Sequence, residues 1–386
     1  MFFFKPKSFL GIDIGAGGIK LAELRQEKKR PVLFTYGLTS QSQDVHQIST
    51  AKEDAVSELL KKKIGAEAGV ASAEATAAKA ENFSEEKIKE YAAKIAAVCR
   101  ASRVVSKSAV VSLPVSSVFH AVVTLPLVKK EELDRILRAE IKKFVPIPLE
   151  EVAIEHEIIS ADEEQKIQRV LINAVPHQLI SFYTRVFQKA GIALSALEPE
   201  SAALTRSLVW RDQAVCMLID IGAERTNFFI VDSAYPVTHQ TIDAGGVKID
   251  KILRNALGID EGGTEQIKRD LFDFVSQPRS GVNLSAKLLE MFGAVIEPII
   301  KEVEVSFELY LRQTGNENKR PEKIILTGGM AGLPYLAKII ADKFKTKCYV
   351  GDPWARVVHQ DSLRPILQDI GPRMSVAIGL ALRNMV

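Results

Sequence analysis

The sequence predicts an α/β protein built from two related domains that share a cleft. The tetrapeptide Asp13-Ile14-Gly15-Ala16 returns as Asp220-Ile221-Gly222-Ala223, 207 residues later. Each copy stands between two apolar stretches, which is typical of a β-hairpin with a glycine turn. The spacing is far too long for a solenoid repeat, whose period is tens of residues. Two domains of one type, each presenting a glycine turn to the cleft, explain the repeat.

The first turn has the composition of a phosphate-binding loop. Asp13 precedes it at a strand end, where a carboxylate holds Mg²⁺ mostly through the waters of the ion. Lys20 follows it, within reach of a phosphate. Successive N–H groups in such a turn bind anions when no side chain covers them. The turn residues that leave the main chain open are Gly15, Ala16, Gly17 and Gly18.

The second turn and a third glycine segment extend this pattern. Asp220 is again followed by small residues and then by a hydroxyl and an amide: Gly222, Ala223, Thr226 and Asn227. Residues 324–334 are predicted to form a strand, a turn and a helix that begins near Leu333. A helix that starts behind a glycine turn suits a phosphate or a flat base, and the turn residues concerned are Gly328, Gly329 and Ala331. One such turn alone is a common strand–turn segment, whereas the ordered series of three favours a nucleotide site.

The rest of the first domain is predicted from helical periodicity and end signals. Thr50 and Glu53 form a capping box that opens one helix. Residues 64–83 are rich in alanine and lack bulky apolar groups, so we expect a mobile surface insertion. Ser84 starts a further helix with apolar residues at helical spacing, and residues 110–114 form a strand.

Residues 118–195 are expected to form an inserted subdomain. The pattern predicts a helix over residues 131–145, strands over 154–159 and 169–175, and a second helix over 177–190 that ends at a glycine. An edge strand of a small sheet pairs readily with an extended peptide. The candidates for such a groove are Phe144, Val145, Ile147 and Ile154, with the alternative that these residues form the core of the subdomain.

The second domain is expected to start near Ala214. Gly245 and Gly246 form a turn into a helix over residues 248–257, and another helix begins at Thr264. Residues 284–313 predict a long amphipathic helix that is broken near Pro298. The last predicted helix runs over 375–383, and its Gly379 allows close packing at the joint of the two domains.

Composition excludes several classes of function. The 386 residues carry a net charge of +3 with nearly balanced acidic and basic residues, which gives no basis for nucleic-acid binding. Cys99, Cys216 and Cys348 stand apart in apolar surroundings and are expected to be reduced core residues. The six histidines lack metal-ligand spacing. No apolar run reaches membrane-spanning length, so a cytosolic protein that reaches a membrane through a partner is expected.

The ordered loops resemble the actin-like ATPase superfamily, which includes actin, heat-shock chaperone ATPases, sugar kinases and bacterial FtsA. Asp13 and Lys20 keep the spacing of the aspartate and lysine of actin-type first loops. The match is narrower to the PilM family of type IV pilus assembly, from Phe2 to Arg383. The segments that carry it are FFFKPKSFLGIDIGAGGIKLAEL at the start, EIKKFVPIPLEEVAIEHEII (140–159), LEPESAALTRSL (197–208), DPWARV (352–357) and SVAIGLALR (375–383).

This resemblance implies an actin-like, ribonuclease H-like ATPase fold, with a subdomain called 1C as in FtsA. It implies bound ATP with Mg²⁺ near Asp13 and Asp220. It also implies a groove between subdomains 1A and 1C for the cytosolic N-terminal peptide of the membrane protein PilN, at the cytoplasmic face of the inner membrane. By similarity to FtsA, Glu265 and Lys268 are candidates for the ribose and base, with surface pairing as the alternative. The implied division is 1–117 and 196–213 for 1A, 118–195 for 1C, 214–245 and 319–374 for 2A, 246–318 for 2B, and 375–386 for a joint helix.

The residues at the domain joint predict slow or absent ATP hydrolysis. Related ATPases place an acid or amide there to orient water, and here Pro199 takes the position of that acid. Glu198 and Glu200 are the remaining catalytic candidates. Two alternatives stay open. One is a small-molecule kinase, for which no general base is assignable. The other is an FtsA-like filament. FtsA ends in an amphipathic membrane helix, whereas this sequence ends three residues after Arg383.

Overall fold

The computed structural model describes residues 7–39, 83–142, 148–258, 284–313, 315–333 and 335–385, together with Lys268 and Asp270. In this part of the chain the strands are β1 Ser8–Gly15, β2 Gly18–Glu27, β3 Arg30–Leu38, β4 Ser108–Leu113, β5 Phe119–Pro126, β6 Val152–Asp162, β7 Ile167–Pro176, β8 Ala193–Pro199, β9 Cys216–Ile221, β10 Thr226–Asp232, β11 Tyr235–Ile242, β12 Lys323–Thr327 and β13 Lys347–Val350. The helices are α1 Glu85–Ala101, α2 Lys130–Ile141, α3 His177–Ala190, α4 Glu200–Leu204, α5 Gly246–Leu257, α6 Leu284–Leu311, α7 Leu336–Phe344 and α8 Arg364–Leu382.

Two five-stranded sheets have the same topology. The first has the order β3-β2-β1-β4-β8 and the second the order β11-β10-β9-β12-β13. In each, the strand that carries the repeated tetrapeptide is antiparallel to the next strand and parallel to the one on its other side. The duplication predicted from the tetrapeptide repeat is therefore present in the fold.

A third sheet, β5-β7-β6, belongs to the inserted subdomain. Helix α2 covers one face of it through Leu133, Leu137 and Ile141. This helix ends at Ile141 and not at the predicted Val145. The prediction ran the helix up to Pro146 as its stop, although the residue before a proline already avoids helical backbone angles. The capping box at Thr50 and most of the alanine-rich segment 64–83 lie outside the described residues.

Helix α3 has its predicted bounds but a different location. Its C-cap is Gly191, with φ of 75°. Its buried face packs against α1 in the core of the first domain, through Phe182, Tyr183 and Phe187 among others. Helix α3, which the predicted bounds 118–195 place in the subdomain, thus packs in the core of the first domain, because helical periodicity shows that one face is buried without showing which partner buries it. The predicted cap of α1 is confirmed, since Ser84 Oγ accepts from Lys87 N at 3.2 Å.

Two helices of the second domain differ from their predictions. Helix α6 continues through Pro298, because Ile296 and Ile299 on either side are buried in the domain core and hold the helix there. Helix α7 starts at Leu336 and not near Leu333, since residues 328–333 form tight turns in which Ala331 N donates to Gly328 O and Leu333 N to Met330 O.

Helix α8 packs at the joint of the domains and is longer than predicted. It crosses β1 so closely that a Cβ on Gly11 would lie 2.1 Å from Ala377 O. A Cβ on Gly379 would lie 1.9 Å from Ala203 O, which confirms the close packing expected there. At its other end, Gly328 N donates to Pro372 O at 3.0 Å. One helix thus contacts both domains.

The three cysteines are free, as expected. Burial raises the pKa of Cys99 to about 11 and that of Cys216 and Cys348 to about 12, so none is a reactive thiolate at neutral pH. Across the described ranges, no helix has the length and apolar character needed to span a bilayer.

Candidate functional site

The first glycine turn places a carboxylate and an ammonium side by side. Asp13 on β1 lies opposite Lys20 on β2 in the antiparallel register. Lys20 Nζ is 3.3 Å from Asp13 Oδ2, and Ser112 Oγ on β4 donates to Asp13 Oδ1 at 2.8 Å. Ser112 was not among the predicted site residues, because a serine within an apolar strand carries no distinctive signal. The Asp13 side chain is thus held from two sides.

The glycines of this turn stand where an added side chain would meet neighbouring atoms of the site. Gly15 would bring a Cβ to 2.9 Å from Lys20 Nζ, and Gly18 has φ of 114° with Thr39 O only 2.1 Å from such a Cβ. Across the cleft, a Cβ on Gly17 would lie 3.2 Å from Ala223 Cβ. The two glycine turns therefore meet, and a larger residue in either would separate the domains.

The second turn places its carboxylate at the same register position with a different partner opposite. Asp220 on β9 lies opposite Asn227 on β10, the register position that Lys20 has in the first domain. Asn227 Oδ1 accepts from Thr241 Oγ1, so its amide N–H group is directed to Asp220. Burial and the nearby Asp13 carboxylate raise the pKa of Asp220 to about 6. The second half of the site therefore holds a carboxylate without a cation of its own.

The Thr226 hydroxyl, predicted to face a ligand, is hydrogen-bonded within the protein. Its side chain is fully buried, and Oγ1 donates to Ala244 O. This bond fixes the turn at Gly245 and Gly246, where Gly246 N donates to Gly222 O at 3.0 Å. A Cβ on Gly245 would lie 2.6 Å from Ala223 O. The predicted residues of this turn therefore shape the loop that carries Gly222 and Ala223.

The third segment joins the second turn. Gly328 has φ of 89°, and a Cβ on it would lie 2.4 Å from Ile221 O and 2.5 Å from Asp220 Oδ1. Met330 N donates to Ile221 O at 3.2 Å. Ala331 is buried in the core, whereas around Gly329 only the Arg373 side chain is near, 3.9 Å from where a Cβ would lie. The structure thus brings the three predicted segments together and leaves Gly329 open to a ligand.

Of the two acidic candidates at the joint, only Glu200 is coupled electrostatically to Asp13 and Asp220. It is the first residue of α4, and its Oε2 accepts from Val115 N at 3.3 Å. Burial and the Asp13 and Asp220 carboxylates hold the pKa of Glu200 well above its usual range. Glu198 is buried in an ion pair with Arg206, whose Nη1 is 3.1 Å from Glu198 Oε2.

The predicted base-binding residues are only partly described. Lys268 is buried, and its Nζ lies 2.8 Å from Asp250 Oδ1 on α5. This ion pair fixes the ammonium inside the second domain. Glu265 lies outside the described residues.

A cavity of about 880 Å³ lies on another side of the joint, and we call it the groove. The first domain forms one wall with Arg206, Trp210, Arg211 and Arg383. The inserted subdomain forms the facing wall with Glu155 and Glu157 of β6. Strand β6 is an edge of its sheet. The groove therefore has a basic wall, an acidic wall and a strand edge.

The tip of the β10–β11 hairpin closes one side of the groove and bridges to the inserted subdomain. His120 Nε2 lies 2.7 Å from Pro236 O, and Tyr235 Oη donates to Glu157 Oε1 at 2.9 Å. Burial lowers the pKa of His120, so the imidazole is neutral. His120 Nδ1 lies 2.9 Å from Asn173 Oδ1, so each ring nitrogen faces an oxygen acceptor and the single N–H of neutral imidazole donates to one of them.

Of the four residues predicted to line a peptide groove, the structure describes Ile154. Phe144, Val145 and Ile147 lie outside the described residues. Ile154 packs with the subdomain core on the α2 side of the sheet. The alternation of β6 turns Glu155 to the opposite face, and an apolar pattern alone does not indicate this charge. Trp210 and Arg383 were missed as well, although the segment 375–383 was singled out.

Comparison with known proteins agrees with this architecture. The family model described as type IV pilus assembly protein PilM matches residues 70–385. A solved PilM-PilN type IV pilus biogenesis complex superposes with a TM-score of 0.75 at 18% identity, covering 99% of this chain and 100% of that chain. The ethanolamine utilization protein EutJ from Carboxydothermus hydrogenoformans superposes with a TM-score of 0.50 at 15% identity, covering 98% of this chain and 91% of that one. The fold is the predicted actin-like ATPase fold.

Proposed function

The chain belongs to the PilM family of type IV pilus assembly proteins, and we propose that it is an ATP-binding scaffold of the pilus assembly platform. The observation that carries the proposal is the meeting of the two glycine turns, with Asp13, Lys20 and Asp220 beside them. In this role the protein stays at the cytoplasmic face of the inner membrane because it binds a membrane protein.

The residues of the cleft fit Mg-ATP. The glycine turns would bring their main chain close to the phosphates, and Lys20, which lies opposite Asp13, supplies a cation. Asp13 and Asp220 would hold Mg²⁺ through its waters. The described residues contain no cluster of three or more side chains able to chelate a metal directly, which agrees with a hydrated ion. Gly329 leaves room for a base. Bound nucleotide supplies contacts to both domains and so favours the closed arrangement.

We propose that turnover is slow or absent. Pro199 stands where related ATPases have the acid or amide that orients water, and one carboxylate oxygen of Glu200 already accepts from Val115 N. Glu198 is occupied by Arg206. A kcat above roughly 1 s⁻¹, the low end for ordinary enzymes, contradicts this part of the proposal.

The test is to purify the protein, denature it and identify the released nucleotide, with a single-turnover assay on added ATP in parallel. Asp13→Ala is expected to lose Mg-ATP retention, whereas Asp342→Ala is the control because its side chain is exposed on α7. Gly329→Val is expected to block the base. Gly332→Val is its matched control, since nothing lies within 4 Å of a Cβ there. If both site variants retain ATP as wild type does, the site is assigned wrongly.

We further propose that the groove receives the cytosolic N-terminal segment of a PilN-like membrane protein. The fold similarity to PilM in a complex with PilN supports this partner. The groove lies between the first domain and the inserted subdomain, and edge strand β6 offers unpaired main-chain groups to an extended peptide. Because the β10–β11 hairpin reaches from Asn227 in the cleft to Pro236 in the groove, nucleotide and peptide are expected to strengthen each other's binding by the same factor.

Fluorescence anisotropy with a labelled synthetic peptide of the PilN N-terminus from the same genome tests this proposal. Ala202→Leu enlarges a groove residue of α4 and is expected to weaken binding. Ala101→Leu, at the exposed end of α1, is the control. Equal peptide affinity with and without Mg-ATP contradicts the proposed coupling. An unaltered peptide affinity of Ala202→Leu contradicts binding of the peptide in the groove.

A further inference from the structure

Arg383 is the groove residue whose hydrogen bonding is incomplete. It follows directly after the last residue of α8 and lines the groove beside the first domain. Its Nη1 is buried from solvent and has no hydrogen-bond acceptor within the described chain. A guanidinium is always charged in a protein, so a buried N–H group of this kind is costly when it lacks an acceptor.

Arg206 on the same wall shows the contrasting case. Its Nη1 donates to Gly379 O at 2.8 Å, and the guanidinium also pairs with Glu198. The buried carboxylate of this wall is therefore already engaged by Arg206. Arg383 lacks such an internal partner for Nη1, which leaves this donor for a group that enters from outside.

The backbone of the same wall is also strained. Residues 205–209 form a π-helical turn, and Trp210 follows it with φ of 65° and ψ of −115°. Such a conformation is rare for a bulky residue, and strain of this kind concentrates at binding sites. Trp210 lines the same wall of the groove. Two independent irregularities, an unpaired donor and a strained aromatic residue, thus share one wall.

We propose that Arg383 anchors the docked partner segment by donating a hydrogen bond from its guanidinium to an oxygen of that segment. This inference rests on the proposed binding of a PilN-like peptide in the groove. The anchor specifies an acceptor, which is a main-chain carbonyl, an amide side chain or a carboxylate, on the side of the peptide that faces the first domain. The acidic wall of Glu155 and Glu157 keeps acidic side chains of the peptide away from the opposite side.

The test compares Arg383→Met, Arg383→Lys and Arg364→Met in the anisotropy assay with the PilN peptide. Arg364 is a matched control, because it begins the same helix and is exposed at the end away from Arg383. Loss of a hydrogen bond to a charged donor is expected to weaken binding about 10- to 100-fold in Arg383→Met. Arg383→Lys keeps the charge but lacks the planar guanidinium, so its peptide affinity is expected to lie between those of wild type and Arg383→Met. Arg364→Met is expected to bind the peptide as wild type does.

Thermal unfolding of the peptide-free variants separates anchoring from a purely structural role. If Arg383 only stabilises the fold, Arg383→Met lowers Tm, whereas an unpaired donor can be removed without loss of Tm. An alanine scan of the peptide completes the test. If the acceptor is a side chain, alanine at one peptide position weakens binding to wild type but not to Arg383→Met. If the acceptor is a main-chain carbonyl, no peptide position behaves in this way, and Arg383→Met still binds the peptide more weakly than wild type does.

The inference fails if wild type binds the peptide and Arg383→Met binds it equally well, and the proposed function then stands. It also fails if Arg383→Met lowers Tm so far that the loss of folded protein at the assay temperature accounts for the whole loss of affinity. If wild type does not bind the peptide, the proposed partner itself is wrong.

Discussion

Replacing Asp220 by asparagine is expected to stabilise the nucleotide-free protein at neutral pH while removing its hold on Mg²⁺. The pKa of Asp220 is raised to about 6 from an ordinary 3.8, mainly by burial and next by the Asp13 carboxylate. The folded protein therefore binds this proton more tightly than the unfolded chain does. The charged side chain costs stability above pH 6, and the cost disappears as the pH falls toward 3.8.

The size of the effect follows from the shift. Each pKa unit corresponds to about 1.36 kcal/mol, so the shift from 3.8 to about 6 gives about 3 kcal/mol at pH 7.5. Since Asp220 is partly exposed, water screens the charge and this figure is an upper value. Asparagine keeps an oxygen that accepts from Asn227 and lacks the charge.

The assay is urea unfolding of nucleotide-free Asp220→Asn and wild type, compared at each pH from 7.5 to 4.5. Comparing at equal pH cancels the titration of the groups that do not interact with Asp220. The gain is expected to be largest at pH 7.5 and to shrink through pH 6 and below. Asp342→Asn, at an exposed position of α7, is the control and gains nothing. A variant no more stable than wild type at pH 7.5, or a gain that persists at pH 4.5, refutes the reasoning.

Three further predictions concern the joint and the second domain. Gly379→Val places Cβ 1.9 Å from Ala203 O and is expected to lower the unfolding free energy by about 3 kcal/mol, whereas Gly332→Val does not; equal urea midpoints contradict the close contact. His239, whose pKa burial lowers to about 3, makes the wild type lose stability as the pH falls below 6.5, so His239→Gln should show a flatter pH profile in the same assay. Glu198→Gln is expected to cost about 2 kcal/mol through its bond to Arg206 without changing any ATP turnover, and a changed single-turnover rate would place Glu198 in the cleft.

The features predictable from sequence are those that repeat or are local. The paired tetrapeptides revealed two sheets of one topology, because the same strand–turn–strand segment folds in the same way twice. Helix caps such as Ser84 and Gly191 were predictable because their partners lie within one turn of the helix. The three glycine loops were predictable because each is a local strand–turn segment that is recognisable without its distant neighbours.

The features that escaped prediction depend on neighbours distant in sequence. Helix α3 has the expected bounds, yet its packing against α1 follows from the path of the chain through the first domain. The unpaired donor of Arg383 is visible only once Glu198 is known to bind Arg206. The raised pKa values of Asp220 and Glu200 could not be predicted either, because they depend on burial and on how close the fold brings these carboxylates to Asp13.

The common register of the two halves has a consequence for polarity. The halves share one strand topology, and they present Asp13 opposite Lys20 and Asp220 opposite Asn227. A perfectly symmetric cleft would accept an elongated anion in either direction. The exchange of an ammonium for an amide at this register position breaks the symmetry, because the more negative end of a ligand is attracted to the Lys20 side.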